Sequence, residues 1–212
     1  SVRQRQVARA NAYEALAARY PKDDEAQIFS ALYIAGTQLQ SDQTYAAYLK
    51  AAAILEKQFV KYPDHPGVAH YLIHSYDAPP IAAQGLNAAR RYADIAPDAP
   101  HALHMPSHIF TRVGAWQESA ATNMRSRDVA KAGNEPDEAY HASDYMVYAD
   151  LQLARDADAR LAIAEADGCS AGAFAVAAGL IQRAGIAVSR FDDVAGLAVL
   201  RVVATLANEA AD

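Results

Sequence analysis

The chain has 212 residues, 52% of them hydrophobic, with a formal net charge of −6 and a single cysteine. The acidic balance, with a pI near 5.6 and no basic stripe, excludes a nucleic-acid partner. No apolar run reaches the roughly 18–20 residues that cross a membrane. The lone Cys169 excludes an internal disulfide and a cysteine-based zinc cluster, and it fits a reducing, cytoplasmic compartment.

Alanines and aromatics recur at helical spacing, and no stretch alternates as a strand would, so the fold class is all-α. The opening Ser1-Val2-Arg3-Gln4-Arg5 leads into a first helix over 2–20, ended by Tyr20-Pro21, with no signal peptide expected. Asp23, Asp24 and Glu25 then cap and charge a helix start. Helix pairs follow at 23–61, 67–95, 101–131, 141–166 and 171–209. The first pair is joined by a polar loop, Thr37 to Thr44, and the third turns at Gly114 with Trp116 opening its second helix. A loop of about ten residues, Lys131 to Tyr140, is expected before the fourth. The first helix has no partner before it, so the chain reads as a single repeat domain, and as a fragment of a longer protein whose preceding repeats, or a partner protein, would cover that end.

Two segments carry nearly the same text. Pro63-Asp64-His65-Pro66 with His70 and His74 is followed 34 residues later by Pro97-Asp98-Ala99-Pro100 with His104 and His108. That period is the length of a two-helix repeat unit. Six of the seven histidines lie in these segments and the seventh, His141, lies in the next. His65, in the turn before its helix, is expected to be solvated.

Residues at i, i+3 and i+7 share a helix face. His101, His104 and His108 have that spacing, as do Gly67, His70 and His74, and His141, Asp144 and Tyr148. If helix pairs stack as a solenoid, the first helix of each pair lines a concave groove, with His70 beside His104 and His104 beside Asp144. Asp77 and Arg112 follow one turn beyond His74 and His108. Two histidines at i and i+4 can hold one metal ion from a single helix, and a carboxylate can complete the shell. The expected ligands are His70, His74, His104, His108 and Asp144, with His101, His141, Tyr148, Arg112 and Asp77 lining the groove. Imidazole ligands suit Zn²⁺, Fe²⁺, Cu²⁺ or Ni²⁺ rather than Mg²⁺ or Ca²⁺. An open position on such an ion would allow a hydrolytic or oxidative reaction on a small substrate. The competing reading is a scaffold without a metal, whose groove takes an acidic peptide, a small anion or a partner protein. Asn123 reads as a helix-to-loop hydrogen bond, and Trp116 and Phe191 as packing.

The helix-pair period and the string Gly114-Ala115-Trp116-Gln117-Glu118-Ser119 resemble the tetratricopeptide repeat family. More narrowly, His65-Pro66-Gly67 with His70 and His74, followed by His101, His104-Met105-Pro106, His108, Arg112 and Gly114, resembles a largely uncharacterised bacterial group of longer tetratricopeptide-repeat proteins. The resemblance covers about residues 10–160. It implies an α-solenoid with a right-handed superhelix, and ligand binding in the concave groove. It implies no particular activity. Ordinary peptide-binding members line the groove with Asn, Lys and Arg, so the histidines depart from that habit.

Overall fold

The structure is a computed structural model that describes residues 1–155 and 158–159. Among these residues every regular element is helical. The helices are α1 (Val2–Arg19), α2 (Asp24–Ala35), α3 (Ala46–Lys61), α4 (Pro66–Tyr76), α5 (Leu86–Ile95), α6 (Pro100–His104), α7 (Pro106–Arg112), α8 (Trp116–Ala132) and α9 (Pro136–Gln152), with a 3₁₀ turn at Ala82–Gly85 before α5. The expected pair at 171–209, with Cys169 and Phe191, lies outside the described residues.

Helix starts follow local chemistry. Asp23 caps α2 by accepting the Ala26 amide, 3.1 Å away, and Asp24 and Glu25 then occupy the first turn, where the helix dipole favours acid. Proline opens α4, α6 and α9, since its missing N–H costs nothing in a first turn. This moves one boundary. α9 begins at Pro136, not at 141, so the loop after α8 is only Gly133 to Glu135, with Asn134 in the left-handed region. His65 also departs from expectation. Its Nδ1 accepts the Val68 amide at 3.3 Å as the N-cap of α4, and its Nε2 lies 2.9 Å from Oε1 of Glu25.

The described residues divide into two compact units. One is Ser1–Pro97 with His108–Gly114; the other is Asp98–Ser107 with residues from Ala115 onward. In the first, consecutive helices from α1 to α5 pack on one another, and α2 also touches α4. Ile28, Leu55, Val68, Leu72, Ile73 and Ile109 are its fully buried large side chains. Burying each contributes on the order of 1.5–3 kcal/mol. The loop from α2 to α3 is fastened by Gln38, whose Oε1 accepts the Ala47 amide at 3.1 Å while its Nε2 donates to the Asp42 carbonyl at 2.9 Å. Gly85 allows a close approach here, because a Cβ there would crowd Ile109 Cδ1 at 2.9 Å and Tyr76 Cβ at 3.0 Å.

In the second unit α8 packs on α6 and α9. α8 presents Ser119, Thr122, Asn123 and Ser126, a buried polar stripe at i, i+3, i+4 and i+7. Thr122 donates to the Leu103 carbonyl at 2.6 Å and Ser126 to the Pro100 carbonyl at 2.7 Å, so the stripe fixes α6 by satisfied buried hydrogen bonds.

Candidate metal centre

α6 and α7 form one helical run. Met105 between them keeps α-helical dihedrals, φ −51° and ψ −38°. His104 and His108 therefore stand four residues apart on that run, either side of Pro106. His104 is 0% exposed, as is Asn123. Nδ1 of His104 lies 2.7 Å from Oδ1 of Asn123. The orientation of that amide is fixed, because its Nδ2 donates to the Ser119 carbonyl at 2.8 Å. The amide oxygen therefore faces the ring, and Nδ1–H of His104 donates to it. In the neutral ring the lone pair then sits on Nε2, the form that binds a metal.

Within the same unit the ring centroid of His104 lies 4.2 Å from that of His141 and 4.7 Å from that of Tyr145, the latter edge-on. Tyr145 also meets His141 edge-on at 5.6 Å. His104 and His141 thus bring two imidazoles together from α6 and α9, a pair of donors able to share a metal ion. Asp144 lies one turn beyond His141 on α9. His101 is exposed, with Nδ1 at 3.8 Å from Oε2 of Glu138. Tyr148 packs edge-on against Trp116 at 5.6 Å.

In the first unit, Nδ1 of His108 lies 2.9 Å from Oδ2 of Asp77, and Nε of Arg112 donates to Oδ1 of the same carboxylate at 2.9 Å. Burial works to raise the Asp77 carboxyl, but His108 and Arg112 outweigh it and hold the group at about 2. Asp77 is therefore an ionised acceptor at neutral pH, and His108 donates Nδ1–H to it. A histidine held this way by a carboxylate presents Nε2 away from it, the carboxylate–histidine arrangement that orients metal ligands in general. Burial and the Asp77 charge push the Tyr48 hydroxyl up. His70 and His74 on α4 meet with Nε2 to Nε2 at 3.0 Å, and the His74 and His108 ring centroids lie 6.2 Å apart.

The residue that sequence reasoning undervalued is Asn123. Its partner is 19 positions away, and only the i, i+3, i+4, i+7 stripe of small polar residues on α8 signals that this face is buried and hydrogen-bonded.

Comparison with known families finds a match to part of the chain. Residues 130–194, under a third of the chain, are similar to the 3-hydroxybutyryl-CoA dehydrogenase reduced Rossmann-fold domain. Neither the curated proteins nor the solved structures contain a significant match to the chain.

Proposed function

We propose that this protein is a metalloprotein that holds a divalent transition metal through His104 and His141 of the second unit. The observation that carries the reading is the approach of the two imidazoles, whose ring centroids lie 4.2 Å apart. The His104 ring has Nδ1 held by a fixed acceptor, Asn123. Ligating histidines generally need such a partner to set tautomer and ring orientation. Imidazole donors suit Zn²⁺, Fe²⁺, Cu²⁺ or Ni²⁺. An ion held by few protein ligands keeps positions for water, which it can activate. On that chemistry we assign a metal-assisted hydrolytic or oxidative reaction on a small molecule or peptide as the working activity.

The helix arrangement is read as tetratricopeptide-like. In favour stand the 34-residue repeat of the histidine text, the consecutive helix packing from α1 to α5, and the contact of α2 with α4. The dehydrogenase-domain likeness does not support a dinucleotide-binding reading. Such a unit opens with a strand and a glycine-rich turn, whereas the described part of the matched span is mainly the helix α9.

The test is elemental analysis by plasma mass spectrometry on protein purified without an affinity tag or chelator. Near-stoichiometric zinc, iron, copper or nickel is the expected result. No metal, with none taken up on titration, would leave the scaffold that binds a peptide or partner protein as the better reading.

A further inference from the structure

The pair on α4 has its own geometry. His70 and His74 stand at i and i+4 on an uninterrupted helix, and their Nε2 atoms are 3.0 Å apart. At a metal–nitrogen bond of about 2.0–2.1 Å, nitrogens 3.0 Å apart subtend about 95° at a shared ion. That is the angle between neighbouring ligands of an octahedral or tetragonal ion, the geometry of Ni²⁺ and Cu²⁺. The ring centroids, 4.8 Å apart, are also placed as for two neighbouring ligands. His70 is held by an aromatic sandwich edge: Tyr92 stacks on it at 5.5 Å and 22°, and Tyr71 lies 5.5 Å away. Such packing lowers the rotamer entropy that an ion must otherwise overcome. His74 is exposed, so solvent can supply further ligands. A proton held between the two nitrogens is the ion's competitor.

We propose that His70 and His74 form a second transition-metal site, a two-histidine chelate on one helix completed by water. This site does not rest on the centre at His104 and His141. It has fewer protein ligands, so it binds its ion more weakly and exchanges it faster. An ion with several water positions can accept a bidentate oxygen ligand, such as a carboxylate or phosphate group, without losing its hold on the helix.

The experiment is calorimetric titration of the full chain with Ni²⁺ alone, after its resident metal has been counted. The wild type should show a class of Ni²⁺ sites that His74→Ala weakens at least tenfold, with circular dichroism unchanged. His74→Gln, which keeps a side chain of similar reach, should lose the same class. His104→Ala should retain it. Undiminished Ni²⁺ binding in both His74 variants would overturn the proposal. So would loss of all metal in those variants, which would mean one shared site rather than two. If His104→Ala leaves every class intact while His74→Ala does not, the centre at His104 fails and this one stands.

Discussion

Nδ1 of His104 donates to the amide oxygen of Asn123 across 2.7 Å, and neither residue is exposed at all. A buried bond of this kind is worth only about 1 kcal/mol when made, but leaving one partner unsatisfied costs about 1–3 kcal/mol. Asn123→Ala should therefore lower the stability of the metal-free protein by that amount in denaturant titrations. It should also weaken metal binding about 10–100-fold, because the His104 tautomer is no longer fixed. Reduced stability with unchanged metal affinity would limit Asn123 to holding α8 on α6.

Ligand binding to the folded state alone raises stability by mass action, by about 2.7 kcal/mol when free metal stands at 100 times its Kd. Chelation of the purified protein should lower its Tm, and restoring the metal should recover it. Uptake should also release protons and fall between about pH 7 and pH 5, since imidazoles that titrate near ~6.5 must be neutral to ligate. A Tm indifferent to chelator would count against a bound ion.

Alkaline pH probes the first unit independently of any metal. Burial, the charge of Glu56 and the hydrogen bond to its Oε1 at 3.1 Å push the Tyr76 hydroxyl up to about 12. A raised folded value means the stabilisation is complete below the unfolded value near 10 and is lost as pH rises toward 12. Tyr76→Phe should flatten the stability profile between those values. An unchanged slope would show that Tyr76 ionises as readily in the folded chain as in the unfolded one.

Gly85→Ala would drive a methyl group into Ile109 Cδ1 and Tyr76 Cβ, at 2.9 and 3.0 Å. Overpacking of this kind costs roughly 1–3 kcal/mol. Thermal unfolding checks this.

The all-helical class and most helix positions were legible because proline and capping residues act locally. The exception at Pro136 is instructive. Proline terminates one helix as readily as it opens another, and leaving Pro136 inside a loop from Lys131 to Tyr140 put the start of α9 five residues late. Asp137 and Glu138, the acid of a first turn, carried the correction. The histidines stood out by type and spacing, but the repeat offset set Asp144 beside His104, and the ring found 4.2 Å from His104 is that of His141. Their orienting partners could not be placed so directly. Asn123 and Asp77 lie 19 and 31 positions from the rings they hold, and such pairings depend on tertiary packing. Asp144 and Tyr148 share the helix face of His141, and the Tyr148 ring meets Trp116 edge-on while His141 meets His104. A shared face is a wider condition than a shared ligand position.

Pro106 has a further consequence. Its ring fixes φ near −65° and supplies no N–H, so the carbonyl of Ala102 lacks the donor an unbroken helix would give it. His104 and His108, which flank it, are thus spaced along a run whose hydrogen-bond ladder misses a rung at that point. The same text one repeat earlier has no such ring between His70 and His74. Two identical spacings along the chain therefore stand on different backbones: one run is interrupted by a ring, and the other is an unbroken helix.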